Sequence, residues 1–134
     1  MLEAINIHKV YKNGARELSV LKGIDLKIEK GEFVSIFGPS GAGKSTLLHI
    51  MGGLDEPTEG RVFLDGQDIY KLGDKKRAQI RNKKIGFVFQ FYHLLPEFSA
   101  LENVMLPGMI KGIASSASGL LAMTMATKAS LTEC

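Results

Sequence analysis

The stretch that decides the fold is GPSGAGKST, residues 38–46. It follows the apolar run FVSIF at 33–37 and precedes LLHIM at 47–51, so the local order is strand, glycine-rich loop, helix. The spacing G-x-x-x-x-G-K-S is that of a phosphate-binding loop, in which glycines let the backbone close around anionic oxygens. Backbone N–H groups and the helix N-terminus would face the phosphates. Lys44 would reach the terminal phosphates, and Ser45 would ligate Mg²⁺.

Length and charge narrow the class of protein. A chain of 134 residues predicts one domain with room for a core. The 17 basic and 14 acidic side chains are too balanced to indicate nucleic acid, and we expect no nucleic-acid partner. The local basic excess at 75–84 is interpreted as a solvated helix face, with contact to acidic lipid or nucleic acid as the alternative.

Three absences from the sequence point to a location in the cell. The single cysteine, Cys134, allows no disulfide within the chain, which fits a reducing compartment. The N-terminus lacks the basic and then apolar pattern of a signal peptide. No run is long and apolar enough to cross a bilayer. We therefore expect a cytoplasmic protein, or one peripheral to a membrane on that side.

The region before the loop predicts an antiparallel hairpin. Residues 2–11 and 18–29 have strand character, and Asn13-Gly14 lies at the turn between them. Ile5 and Ile7 alternate with polar residues along the first of these segments, which supports its assignment as a strand. After the loop we predict a helix over 44–51, ended by two glycines, and a short strand over 61–65.

Two runs, 33–37 and 85–89, are apolar on both faces and are predicted as central strands of a parallel sheet. Asp74 is a predicted N-cap for a helix reaching about Asn82. Ser99 and Glu102 form a predicted capping box for a helix that stops near Pro107. Together these elements predict an α/β fold, a phosphate-loop core with an N-terminal antiparallel β subdomain.

The stretches around the loop carry a resemblance to a known family. Val10-Tyr11-Lys12 precedes the loop, GLDEPTEG follows it at 53–60, and GFVFQ comes at 86–90. This order resembles the nucleotide-binding domain of ATP-binding-cassette (ABC) transporters over residues 1–112. The stretches QFYHLLPEF at 90–98 and LENV at 101–104 resemble its lipoprotein-releasing and macrolide-export branch, and lean towards lipoprotein release.

The resemblance implies roles for individual residues. Tyr11 would stack on adenine, although by itself it also reads as an ordinary strand-end aromatic. Gln90 would approach Mg²⁺ and the attacking water, although a glutamine that caps a buried strand is the plain alternative. Ser45 and Gln90 would serve the metal. The nucleotide contacts implied by the resemblance are Tyr11, Gly38, Pro39, Ser40, Gly41, Ala42, Gly43, Lys44, Ser45 and Thr46.

The same resemblance implies cofactors and partners. ATP and Mg²⁺ would be the cofactors. Transmembrane permease subunits would be the partners, with residues 93–96 near the coupling surface. A second nucleotide-binding domain would complete a homodimer in which each phosphate loop faces its partner. The protein would then lie on the cytoplasmic face of the inner membrane.

The sequence also departs from the family pattern. An L-S-G-G-Q-type signature, an apolar strand ending in Asp-Glu and a switch histidine are not found in the 134 residues. Residues 113–134 are rich in small residues and resemble nothing in the family, so we predict a low-complexity tail, disordered or frameshifted, with a short surface helix as the alternative.

Three functional hypotheses follow. The first is an ABC-type ATPase subunit with an incomplete recorded sequence. The second is a truncated, non-catalytic ATP-binding fragment or pseudogene product, which the missing carboxylates favour for this chain alone. The third, a small-molecule kinase, would need an acceptor site and a lid that the sequence does not show.

Overall fold

The structure, a computed structural model, describes residues 1–89, 91 and 93–110. The chain divides into two compact units, Met1–Arg81 and Asn82–Cys134. The predicted tail at 113–134 lies outside the described residues, so its boundary stays a prediction.

The first unit is built on a four-stranded antiparallel sheet. Its strands are β1 (Leu2–Asn13), β2 (Arg16–Ile28), β3 (Glu59–Leu64) and β4 (Gln67–Asp68), in the spatial order β2-β1-β3-β4. β1 and β2 pair from Leu2 opposite Ile28 to Asn13 opposite Arg16, which confirms the predicted hairpin. Long, locally connected strands of this kind need only a tight turn to find each other.

The predicted first strand is present, but a bulge in it separates the faces of Ile5 and Ile7. Asn6 has φ 49°, and the pairing register shifts between Ala4 and Ile7. Ile7 is fully buried while Ile5 is 36% exposed, so the two isoleucines do not share a face. An extra residue in one strand reverses the order of its faces beyond the bulge. The bulge is closed by the carboxylate of Asp25, which accepts the Asn6 N–H at 2.8 Å.

Helix α1 (Lys44–Met51) covers the sheet and occupies the predicted residues. Leu47, Ile50 and Met51 lie at helical spacing and are all buried, so one stripe of the helix supplies its share of the core. Gly52 follows as the C-cap, as the two glycines predicted. The buried core consists of Ala4, Ile7, Leu21, Leu47, Ile50, Met51, Val62 and Ile69.

The two predicted central strands are wrong. Residues 33–37 and 85–89 run without strand pairing. Phe33 and Phe37 are 92% and 90% exposed, whereas a central strand would bury both of its faces. A strand exists only where a neighbour accepts and donates ladder hydrogen bonds, and among the described residues no strand runs beside either segment.

Helix α2 (Asp74–Lys84) begins one residue before its predicted start. The Gly73 carbonyl accepts the first helical hydrogen bond, from the Arg77 N–H at 3.1 Å, so Asp74 lies in the first turn and is not the N-cap. None of its residues is fully buried. Its four lysines, Lys75, Lys76, Lys83 and Lys84, are exposed as the predicted solvated face requires, whereas Arg77 and Arg81 are partly buried. Asp74 supplies the acidic group of its first turn.

Helix α3 (Ala100–Ile110) begins at the predicted capping box. The Ser99 N–H donates to the Glu102 carboxylate at 2.8 Å, and the Glu102 N–H donates back to the Ser99 hydroxyl at 3.3 Å. The helix does not stop near Pro107 as predicted, since that proline lies inside it. A proline removes one hydrogen bond of a helix, and here the backbone continues past it for a further turn.

Candidate nucleotide-binding site

The glycine-rich loop ends on Gly43, which serves as the N-cap of α1. Gly43 has φ 89°, and its carbonyl accepts the first helical hydrogen bond, from the Leu47 N–H at 2.9 Å. The cap makes no side-chain hydrogen bond to the helix. The first-turn N–H groups of an α-helix have no partner within the helix, so they are available to an anion in the loop.

Gly43 is required by its surroundings as well as by its backbone angle. A Cβ there would lie 2.9 Å from both the Leu21 Cδ2 and the Val20 Cγ1 atoms of β2. Real carbon atoms do not approach so closely. The loop is therefore seated directly on the hairpin, which fixes where α1 begins.

Lys44 reaches back over the loop that precedes it. Its ammonium donates to the carbonyls of Gly38 at 2.8 Å and Pro39 at 2.7 Å. The Ala42 N–H donates to the same Pro39 carbonyl at 3.2 Å, which tightens the turn. The positive charge is thus held at the mouth of the loop, where an anionic oxygen would compete with two neutral carbonyls for it.

Ser45 follows Lys44 in the first turn of α1, and its side chain is exposed. The predicted metal pair was Ser45 with Gln90, and Gln90 lies outside the described residues. Mg²⁺ in phosphate sites takes one or two protein oxygens and completes its shell with phosphate and water. A single exposed hydroxyl beside the loop fits that arrangement.

Tyr11 lies beside the same helix. Its hydroxyl donates to the Asp55 Oδ2 atom at 2.7 Å, and the residue remains 41% exposed. Burial, and then the hydrogen bond to Asp55, raise the pKa of Tyr11, while the hydroxyl of Thr46 acts in the opposite direction. The structure therefore brings Tyr11 and Thr46 together at the start of α1; the adenine contact itself stays a prediction.

Sequence reasoning missed Lys9 and Asp55, which support Tyr11. The Lys9 ammonium donates to the Asp55 Oδ1 atom and to the Glu56 carbonyl, both at 2.6 Å. The same ammonium lies 4.8 Å from the centroid of the Tyr11 ring. A buried lysine needs such partners. Lys9 follows Ile7 by two residues and so lies on the same buried strand face, and this position was the sequence signal for a paired lysine.

The charge of Asp55 is set by its neighbours. Burial alone would raise the pKa of the Asp55 carboxyl, but the hydrogen bonds from Lys9 and Tyr11 outweigh burial and lower that pKa. The side chain is therefore a carboxylate at neutral pH and accepts both bonds.

Tyr70, also missed, secures the segment after α1. Its hydroxyl lies 2.6 Å from the Ile50 carbonyl and is hydrogen-bonded to the Asp55 carbonyl as well. Burial is the main cause of a raised pKa at Tyr70, so the hydroxyl keeps the proton that it shares between these acceptors. The end of α1 and the backbone of Asp55 are thereby hydrogen-bonded to one partly buried hydroxyl.

A cleft of about 270 Å³ beside Tyr70 is another concave region of this unit. Its two arginines already have partners. Arg81 donates to the Gly53 carbonyl at 2.8 Å. Arg77 pairs with Asp74 and lies over the Tyr70 ring, with its guanidinium carbon 5.3 Å from the centroid. These guanidinium groups hold the fold together, so the cleft offers a weaker case for a ligand than the loop does.

The predicted coupling residues belong to the second unit. The His93 ring contacts Phe89 edge to face, with centroids 5.1 Å apart. The Asn103 side chain of α3 accepts a hydrogen bond from the Leu95 N–H at 2.8 Å. It donates to the carbonyls of Leu95 and Phe98, at 3.1 and 3.0 Å. One amide therefore determines the path of the loop that enters α3.

Over the part of the chain that the structure describes, no helix combines the length and the apolar character needed to cross a bilayer.

Comparison with known proteins places the chain in a family. The family model described as ABC transporter matches residues 21–133. The lipoprotein-releasing system ATP-binding protein LolD of Legionella pneumophila (strain Paris) is 53% identical over 114 residues, covering 85% of this chain and 50% of the relative. The protein of the same name from Acinetobacter baylyi is 57% identical over 111 residues, covering 83% and 49%. The chain thus spans about half the length of the curated relatives it matches.

Solved structures of ABC transporter cassettes also match this chain. The dimeric structure of the bacterial ABC transporter cassette MJ0796 superposes with a TM-score of 0.79 at 50% identity, covering 83% of this chain and 48% of that one. Its post-hydrolysis state bound to ADP and Pi superposes with a TM-score of 0.80 at 46% identity, covering 96% and 55%. These matches confirm the predicted fold class and the resemblance to the nucleotide-binding domain of ABC transporters. The chain belongs to the ABC transporter family.

Proposed function

We propose that this chain binds ATP with Mg²⁺ through residues 38–46, as the ATP-binding subunit of an ABC transporter of the lipoprotein-releasing type. The observation that carries the proposal is the loop geometry. The Lys44 ammonium is held at the loop mouth by two carbonyls, directly before a helix N-terminus that has no side-chain cap. Relatives named for lipoprotein release, at 53% and 57% identity, support the transport class.

Each part of the site has a distinct task in this proposal. The loop N–H groups and Lys44 bind the phosphates, and Ser45 provides one oxygen ligand to Mg²⁺. When bound, the metal neutralises negative charge on the phosphates. Tyr11 offers its exposed ring to the base, and Gln90 is proposed to orient water.

We also propose the partners of this chain. Transmembrane permease subunits would receive the motion that ATP binding produces, through the loop at 93–96. A second cassette would close over the phosphate loop, and the dimeric MJ0796 cassette supports that arrangement. We place the chain on the cytoplasmic face of the inner membrane, without a nucleic-acid partner.

Equilibrium binding of ATP tests the site. Lys44→Ala removes the charge at the loop mouth and should weaken ATP binding about tenfold or more, because hydrogen bonds to charged groups are the stronger ones. Lys27→Ala is the matched control: Lys27 is an exposed lysine that pairs with Glu29 at 2.7 Å, and its loss should leave the affinity unchanged. Equal affinities of wild type and Lys44→Ala would contradict the proposed site.

A further inference from the structure

The Tyr11 side chain is exposed, and yet several contacts fix its orientation. Its hydroxyl is bound to Asp55 at 2.7 Å, and the Lys9 ammonium lies 4.8 Å from its ring centroid. The residue is nevertheless 41% exposed. An aromatic side chain that is both exposed and fixed in orientation is suited to bind a flat ligand.

The partner that fixes Tyr11 is itself fixed. Asp55 accepts a hydrogen bond from Lys9 at 2.6 Å, and its backbone carbonyl is bound by the hydroxyl of the partly buried Tyr70. Its backbone N–H donates to the carbonyl of His49 in α1 at 3.3 Å. The carboxylate is therefore connected to the helix that carries the phosphate loop.

These contacts join the two parts of a nucleotide site. The loop at 38–46 recognises phosphate by charge and backbone N–H groups, and these groups do not recognise the base. The Tyr11 ring lies at the start of the same helix, and its orientation depends on a carboxylate outside the loop. A ring that is already oriented loses less side-chain entropy when a base stacks on it.

We propose that Asp55 is a positioning residue for the base-binding part of the site. Together with Lys9 it holds the Tyr11 ring in the plane on which a nucleotide base stacks, so it contributes to affinity for the base and not for the triphosphate. This inference rests on the proposed function, because it requires that a nucleotide occupy the loop.

Two probes separate the contributions. Inorganic tripolyphosphate carries the phosphates alone, and ATP carries the phosphates and the base. Both would be titrated, with Mg²⁺, into the full chain and its variants. The quantity of interest is the ratio of the two affinities, since a variant that merely loosened the fold would lower both together.

Asp55→Ala should lower ATP affinity about three- to tenfold, the size expected for one ordinary hydrogen bond, and leave tripolyphosphate affinity within about twofold. Asp55→Asn keeps an acceptor for the Tyr11 hydroxyl and should fall between wild type and Asp55→Ala. Tyr11→Phe keeps the ring and removes only the hydroxyl, so it should reproduce the loss even if Asp55→Ala folds poorly. The effects of Tyr11→Phe and Asp55→Ala should not add, because both break the same contact.

Glu17→Ala is the matched control. Glu17 is an exposed carboxylate on the same hairpin, paired with Lys12 at 2.9 Å, and its loss should change neither affinity. A constant ratio of affinities in Asp55→Ala and Tyr11→Phe would overturn the positioning role while leaving the phosphate site intact. A wild-type chain that binds neither probe would overturn the proposed function, and this inference with it.

Discussion

Two apolar runs flank the phosphate loop, and one forms a helix while the other has no regular secondary structure. LLHIM at 47–51 forms a helix whose Leu47, Ile50 and Met51 are buried, while FVSIF at 33–37 is unpaired and exposes Phe33 and Phe37. Both runs are hydrophobic and of equal length. They differ in where their backbone hydrogen bonds come from. A helix satisfies its N–H and C=O groups within itself, whereas a strand depends on a neighbour supplied by another part of the chain.

The largest expected effect comes from removing a buried side chain of the helical run. Ile50→Ala should lower the free energy of unfolding by about 2–5 kcal/mol, through lost burial and the cavity left behind. Phe37→Ala removes a larger side chain from the run at 33–37 and should change the free energy of unfolding by less than about 0.5 kcal/mol. Urea unfolding followed by tyrosine fluorescence is suitable, since the chain has three tyrosines and no tryptophan. Similar losses in both variants would contradict the comparison.

A smaller effect is expected at the capping box of α3, which is also a local structure. Ser99→Ala removes the hydroxyl that accepts the Glu102 N–H and should destabilise the start of the helix by about 1 kcal/mol. Faster hydrogen exchange at residues 100–103, with unchanged exchange in α1, is the expected result. Because the hydrogen bonds to Glu102 lower its carboxyl pKa, loss of the cap should also raise that pKa. Unaltered exchange in Ser99→Ala would show that distant contacts hold this helix end.

The smallest effect concerns pH and a long-range pair. The pKa of Asp55 lies below its ordinary value of 3.8 in the folded chain, although burial acts against the lowering. The pair with Lys9 therefore stabilises the fold fully above that ordinary value, and the contribution is lost as pH falls through the lowered pKa. Wild type should lose urea resistance in this acid range more steeply than Asp55→Asn, whereas Glu17→Gln should follow wild type. Parallel curves for wild type and Asp55→Asn would argue against the pair.

The elements that sequence patterns predicted correctly are those specified by near neighbours. The hairpin, helix α1 and the start of α3 each depend on turns, caps or periodicity within a few residues. The prediction of the end of α3 was wrong because Pro107 was taken as a stop, although one missing hydrogen bond does not end a helix that the rest of its turns sustain. The strand predictions at 33–37 and 85–89 were wrong because pairing is a property of two segments.

In the site, too, contiguous residues were predicted from the sequence and distant contacts were not. The phosphate loop could be read directly from its glycines, Lys44 and Ser45, because the motif is contiguous. The contacts of Tyr11 could not be read, since Asp55 lies 44 residues away in sequence. Lys9 carried a partial signal, a charge on a buried strand face, but only the fold shows which carboxylate accepts its hydrogen bond.

By itself the sequence determined that a phosphate loop stands between an apolar run and a helix, and that an antiparallel hairpin precedes it. The tertiary structure alone decided that this loop rests on β2 at Gly43, that a bulge at Asn6 buries Ile7 and not Ile5, and that Asp55 holds Tyr11 beside the loop. The physical reason is the range of the interactions. Backbone bending and helix capping act within a few residues, whereas burial, ion pairing and strand ladders require surfaces that only the folded chain brings together.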